Sequence, residues 1–305
     1  MTEFYPFQVR VPASTSNLGA GFDTLSAALS LHLTVRVEAG PGSSVEWEMH
    51  TPLTPDENIL AAAFFHACRN LNLEPPGLRV SVDSPIPLQR GLGSSAAAIV
   101  AGVKMAERLS GRTLGRREIF DLAYPLEGHP DNLAASLLGG WVLSRVEEGR
   151  MRAVRLDSAL ECSFVVAIPE TSVSTQEARR ILPAEFPLQD AVFNLQRVAL
   201  MVYALTSGRR DLVQEAMQDR LHQPYRAALI PGGEAILDHQ GLPSIAAPGL
   251  LGVCISGSGA SMVALADDEI ATIGKWMIGK MQEAGGRAEY RLLRLDLQGA
   301  VARSL

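Results

Sequence analysis

The run PIPLQRGLGSSAAA, residues 85–98, opens a helix on two glycines and two serines. Gly91 and Gly93 free the backbone to curl closely around a ligand, and Ser94 and Ser95 put hydroxyls where the helix begins. SSAAAIVAGVKMAERLSG then continues the helix, with Ala96, Ile99, Val100, Val103 and Ala106 in one apolar stripe and Gly111 as its C-terminal cap. Unpartnered N–H groups and the helix dipole meet at its first turn, so the loop is a candidate site for phosphate or carboxylate. The small side chains of Ala96, Ala97 and Ala98 leave room for a bulky group there. The competing reading is a glycine turn with a serine cap. A Walker A loop is excluded, because it needs a lysine and the first lysine of the chain is Lys104. The protein-kinase VAIK, HRD and DFG motifs and an early GxGxxG fingerprint are also missing.

Two other segments suit the same pocket. PASTSNLGAGFD, 12–23, follows a short strand at 9–11 and crowds polar side chains around Gly19 and Gly21 as a loop. SGSGAS, 256–261, follows the apolar GLGVCI strand. LHLTVRVEA, 31–39, alternates as a half-buried strand, 58–72 reads as a helix, and 118–143 reads as helix, loop, helix and the start of a strand at Trp141. Downstream, helices are predicted near 174–182, 189–207, 209–219, 232–238 and 268–284, with strands at 162–170, 251–256 and 290–296. Strands and helices mixed without regular β-α-β spacing indicate an α+β protein, dividing into domains 1–158 and 159–305.

With 305 residues, 47% hydrophobic and 20% charged, the chain can bury a sizeable core, so disorder is excluded. A net charge of −6 with scattered arginines argues against nucleic acid as a partner. Cys68, Cys162 and Cys254 have neither zinc nor disulfide spacing and point to a reducing compartment. The N-terminal residues lack a signal-peptide pattern. The stretch 241–266, free of Asp, Glu, Lys and Arg, is broken by glycine and proline and reads as strand–loop–helix, not a membrane span. A cytoplasmic protein is expected.

Six segments in order resemble the GHMP small-molecule kinases, and among them the homoserine kinases: the three above, together with EGHPDNLAASLLGG (127–140), STQEARRILP (174–183) and DRLHQPYR (219–226). The resemblance covers nearly the full chain. It departs mildly at Ala20 and Ala260, where relatives often carry proline. It implies a two-domain α+β kinase, the N-terminal domain like domain 2 of ribosomal protein S5 and the C-terminal one ferredoxin-like. It further implies ATP and Mg²⁺, L-homoserine as acceptor in threonine biosynthesis, and a homodimer as the family habit. ATP phosphates would lie over Pro85 and the Arg90–Gly91–Leu92–Gly93–Ser94–Ser95–Ala96–Ala97 run, with Asn58 at the adenine or simply capping its helix. Ser95 and Glu127 would hold Mg²⁺, with Glu118 the second choice for the acid. Asp23 would take the homoserine ammonium and Arg179 and Arg226 its carboxylate. Asn17 and Asn132 would orient the reacting hydroxyl, and His129 would order the loop beside the substrate. An amide cannot act as a base, and Asp131, about 100° round the helix from Asn132, is expected to face elsewhere. The resemblance therefore implies that the hydroxyl loses its proton directly to the phosphoryl group.

Overall fold

The computed structural model describes residues 5–49, 58–238 and 248–305. A seven-stranded sheet is built from β1 (Phe7–Asn17), β2 (Gly21–Ala39), β3 (Val45–Met49), β4 (Leu78–Asp83), β5 (Trp141–Glu147), β6 (Arg150–Leu156) and β11 (Val301–Ser304). Its order is β11-β1-β2-β4-β3, with β5 pairing β2 and β6 pairing β5. Nineteen residues long, β2 has room for this fork: Thr34–Ala39 pair with β4, whereas Leu25–Ala27 pair with β5. The alternation read at 31–39 is realised here, with Leu33, Val35 and Val37 buried and Arg36 and Glu38 exposed.

Helices α1 (Ile59–Asn70), α2 (Ser94–Ser110), α3 (Arg116–Glu127) and α4 (Pro130–Leu138) pack around this sheet, α2 and α4 directly on β1. Glycine makes the closest approach possible. A Cβ at Gly102 of α2 would stand 2.5 Å from the Leu60 carbonyl oxygen of α1. A second, antiparallel sheet has the order β10-β7-β9-β8, from β7 (Ser163–Pro169), β8 (Leu250–Ile255), β9 (Met262–Ala266) and β10 (Ala288–Leu293). It carries α10 (Ile270–Glu283) on β7 and β10. Between β7 and β8 lie α5 (Thr175–Arg180), α6 (Leu188–Ser207), α7 (Val213–Ala216), α8 (Gln223–Arg226) and α9 (Gly233–Leu237). One apolar core runs from the first sheet into the second, with Trp141 against Phe164 at 5.3 Å, and a smaller one lies between the second sheet and α10.

Three expectations are corrected, and one unassigned segment is filled in. The PASTSN segment is not a loop: β1 runs through Asn17, and only residues 18–20 turn. Polar side chains misled the reading because Ser14, Thr15 and Ser16 are buried and spend their hydroxyls inside the protein. Of the uncharged stretch 241–266, residues 241–247 lie outside the described residues, and the rest is strand–loop–strand. The segment 45–49, for which no element is predicted from the sequence, is an edge strand parallel to β4. Finally, β11 pairs with β1 rather than with the second sheet, so residues 301–304 do not follow a division at 158/159.

The β1–β2 turn is held against the 213–217 helix. Asn17, Leu18 and Gly19 all have positive φ, and a Cβ at Gly19 (φ +78°) would meet the Met217 carbonyl oxygen at 2.3 Å. Gly19→Ala combines backbone strain with that clash, and we expect it to lower stability by at least about 1–3 kcal/mol in urea unfolding.

Candidate active site

The three glycine-containing segments converge and are laced together through their backbones. Ser14 N–H donates to Leu92 O (3.1 Å), Gly257 N–H to Ser16 O (3.0 Å) and Ser261 N–H to Arg90 O (3.2 Å). The Ser256 hydroxyl lies 2.7 Å from Gly91 O and 2.9 Å from the Thr15 hydroxyl. Gly91 (φ +69°) sits so close to Ser256 that a Cβ would come within 2.0 Å of its carbonyl oxygen. Gly93 (φ +67°) forms the cap of α2 and touches Ser14, where a Cβ would come within 2.1 Å of Oγ. No side chain caps α2, so its first N–H groups open toward the cleft in front of them.

That polar cleft is lined by Asn17, Asp23, residues 89–95, Glu127, His129, Asn132, Arg179 and Arg226, among others. Most of the residues singled out in the sequence are therefore neighbours. Ser95 Oγ donates to Glu127 Oε2 at 2.7 Å. Glu127 ends α3 and His129 caps α4, with Nδ1 3.8 Å from Glu127 Oε1. Glu118 is excluded as the partner of Ser95: it stands in the first turn of α3, where its carboxylate accepts from Gly115 N–H and Arg112.

Other candidates fall differently. Pro85 is exposed outside the cleft and accepts from Arg291 through its carbonyl. Ala96 and Ala97 are wholly buried, so only their backbone is near the loop. The Arg90 guanidinium is spent on the carbonyls of Pro169, Glu170, Leu88 and Gln89, which pins the loop to the end of β7. Asn58 caps α1, accepting from Ala61 N–H at 3.0 Å. It also lines a second, more apolar cleft with Trp47, Met49, Phe65 and Leu126, and Leu126 is the neighbour of Glu127.

Asn17 and Asn132 are already occupied. Asn17 donates to Gly257 O (2.8 Å) and accepts from Asp23 N–H (3.0 Å). Asn132 accepts from the Ser14 hydroxyl (2.9 Å) and donates to Ser16 (3.0 Å) and Asp131 Oδ1 (3.2 Å). Both amides hold the walls of the cleft together. Asp131, expected to face elsewhere, lines the same cleft at 2% exposure. The 100° argument fails because α4 presents its N-terminal end to the cleft rather than its side. Burial and the nearby Asp23 carboxylate push the Asp131 carboxyl up to about 6.

The charges on the far wall are arranged unequally. Arg179 Nη2 contacts both Asp23 oxygens, at 2.6 and 2.7 Å, in a half-exposed ion pair. Arg226 is 2% exposed, and its recorded contacts are the carbonyls of Ala178 and Gly257, His222 Nδ1 and the Phe22 ring. No carboxylate is ion-paired with it among the described residues. Burial, and next the Arg179 charge, bring its guanidinium down to about 10, so it stays cationic at neutral pH.

Sequence reasoning missed the frame behind Arg226, although DRLHQPYR contains it. Asp219 accepts from the N–H groups of Leu221, His222 and Gln223 and from the Asn194 amide. His222 is fully buried, its Nε2 donates to Gly19 O at 2.8 Å, and its ring stacks on Phe22. Burial lowers its pKa, so it is neutral, and a neutral ring with Nδ1 unprotonated faces the arginine. Gln223 accepts from Ile255 N–H and ties α8 to β8.

Comparison with known proteins agrees with this architecture. Residues 58–140 match the family model for the GHMP kinases N terminal domain. A homoserine kinase of Persephonella marina is 39% identical over 96% of this chain and 97% of its own. One from Thermus thermophilus is 43% identical over 84% of this chain and 85% of its own. The crystal structure of homoserine kinase from Cytophaga hutchinsonii superimposes with a TM-score of 0.86 at 27% identity, covering 99% of both chains. The fold is the GHMP kinase fold, and by identity sustained over almost its whole length the chain belongs to the homoserine kinase family.

Proposed function

We propose that the protein transfers the γ-phosphoryl group of ATP to the side-chain hydroxyl of L-homoserine, giving O-phospho-L-homoserine for threonine biosynthesis. The observation that carries this reading is Arg226, a buried guanidinium without a carboxylate partner, in the same cleft as the uncapped start of α2. An enclosed positive charge of this kind calls for an anionic ligand, and its planar fork suits a carboxylate. The helix end beside it suits phosphates.

ATP lies across both clefts in this reading. The apolar one, with Trp47, Met49, Phe65 and Asn58, takes the adenine, and the N–H groups at Gly91–Ala96 take the phosphates. The Ser95 hydroxyl and Glu127 carboxylate fit Mg²⁺, since both are hard oxygen donors set side by side at the phosphate loop. Among the described residues there is no cluster of three or more His, Cys, Asp or Glu side chains that could hold a metal. Bound there, Mg²⁺ supplies charge neutralisation of the β and γ oxygens. Homoserine sits on the opposite wall, its carboxylate on Arg226 and its ammonium at Asp23, where Arg179 shares the Asp23 carboxylate and can reach the same substrate carboxylate. Asn17, Asn132 and His129 fix the walls that orient the hydroxyl, and this positioning carries much of the rate.

The halves on either side of residue 158, with β11 returned to the first, are the two walls of this site. No helix among the described residues is long and apolar enough to cross a membrane; placement in the cytoplasm is part of the proposal. Pairing of two copies, the family habit, is also part of it and is checked by sedimentation velocity.

Ser95→Ala and Glu127→Gln should each reduce kcat by about 10²-fold or more, measured as ADP release, with the fold unchanged by circular dichroism. Near-normal turnover of Glu127→Gln across a Mg²⁺ titration would remove Glu127 from the metal site. Arg226→Leu should raise the KM for homoserine steeply, since losing a buried charge partner costs about 2–5 kcal/mol, while the dissociation constant of ATP moves little. Equal loss of both affinities would assign Arg226 to the phosphates or to packing. An acceptor screen of homoserine, serine, threonine and mevalonate at fixed ATP tests the reaction itself.

A further inference from the structure

We propose that Phe22 is a positioning residue of the acceptor wall, its ring holding the Arg179 and Arg226 guanidinium groups side by side so that both serve one substrate carboxylate. This rests on the kinase reading above and adds to it a residue that acts through the two arginines. Phe22 stands at the start of β2, next to Asp23. Both guanidinium groups lie over its ring, the Arg226 centre at 5.1 Å and the Arg179 centre at 5.4 Å from the ring centroid. An aromatic face carries negative potential and attracts a cation within about 6 Å.

Few other groups hold these arginines. Arg226 Nε donates to Ala178 O at 3.0 Å and Nη1 to Gly257 O at 3.2 Å, with His222 Nδ1 3.5 Å from Nη1. Its Nη2 donates to no protein group among the described residues. Arg179 spends Nη2 on Asp23, and its Nε is buried without a hydrogen-bond partner. These contacts fix an edge of one guanidinium and a tip of the other. The tilt of each plane is set by what lies against its face, and that is the Phe22 ring. The two cations also oppose each other: after burial, the Arg179 charge is the main influence bringing the Arg226 guanidinium down to about 10. A shared aromatic face offsets that repulsion where Arg226 has no carboxylate beside it.

The ring is itself held in place. His222 stacks on it, with centroids 5.2 Å apart and planes 23° from parallel. That imidazole is wholly buried and anchored through Nε2 to Gly19 O at 2.8 Å. Burial keeps it neutral, so the stack gains no third cation. On the other side of the residue, Asp23 N–H donates to Asn17 Oδ1 at 3.0 Å, which fixes the backbone. The turn before Phe22 is pressed on Met217 at Gly19, so the ring cannot drift. Weakening its face would let one or both guanidinium groups leave the shared orientation, and acceptor affinity would fall by the fraction of molecules that do so. Nucleotide affinity would not follow, because the glycine–serine loop is tied to β1 and the β8–β9 turn.

The test replaces Phe22 in the full chain by phenylalanines carrying one, two and three ring fluorines, which nearly keep the shape of the ring while draining negative potential from its face. The homoserine KM, and its dissociation constant by calorimetry, should climb step by step to about ten-fold at three fluorines. Over the same series kcat should stay within about two-fold, and the dissociation constant of a non-hydrolysable ATP analogue should not move. Phe22→Leu, which removes the face altogether, should raise the KM at least as far as the end of the series. A flat series would show that the ring only fills space and would overturn the proposal, even if Phe22→Leu does not fold. Equal loss of acceptor and ATP affinity would overturn it too, as would a fall in kcat at constant KM. If the acceptor screen finds serine, threonine or mevalonate phosphorylated and homoserine not, the function reading fails instead, and the series with that carboxylate acceptor still judges Phe22. A protein that binds none of these acceptors overturns both.

Discussion

Everything in the site depends on the contact between Gly91 and the Ser256 carbonyl, where two loops from opposite sheets touch backbone to backbone. The approach leaves no space for any side chain at Gly91. It lets Ser256 bond Gly91 O, lets Ser261 N–H reach Arg90 O and brings Gly257 under Ser16. The glycine–serine loop is therefore not a free loop ahead of a helix. It is a layer compressed between β1 and the β8–β9 turn. A rigid, dry frame of this type holds N–H dipoles in place before a ligand arrives, and such preorganisation is where electrostatic catalysis draws its strength.

The same compression explains the distribution of charge. Buried polar groups must be partnered, and most here are, through a mesh of Ser14, Thr15, Ser16, Asn17, Asn132 and Ser256. Among the described residues, two buried charged groups that line this cleft, Arg226 on one wall and Asp131 on the other, have no carboxylate, lysine or arginine ion-paired to them. Each costs stability in the empty protein. Proteins keep such charges where a ligand or a reaction uses them.

The glycine–serine loop, α2 and the alternating half of β2 were legible because local chemistry decides them: a left-handed cap, a helix former run, a period of two. The family motifs then gathered residues as far apart as Asn17 and Gly257, 240 positions, into one cleft. The rest was illegible for identifiable reasons. Ser14–Asn17 look like loop because their polarity is satisfied largely by partners more than 100 residues away. Arg90 looks like a phosphate ligand until the end of β7 is placed beneath it. Asp131 was set aside by counting angles around α4, which says nothing about a helix that meets the site end-on. His222 gave no signal at all, since its partner is a carbonyl, Gly19 O.

The chain closes on itself through β11, whose residues 301–304 pair with 10–7 of β1. During synthesis β1 emerges well before β11, so its outer edge stays without this partner until residues 301–304 follow. Until then the first sheet offers an open row of backbone donors and acceptors, the feature that makes strands join the wrong neighbour. β1 is also the floor of the glycine–serine loop, through Ser14 N–H and Leu92 O. A chain cut before residue 301 would therefore present an adhesive edge beside the glycine–serine loop rather than a slightly smaller sheet.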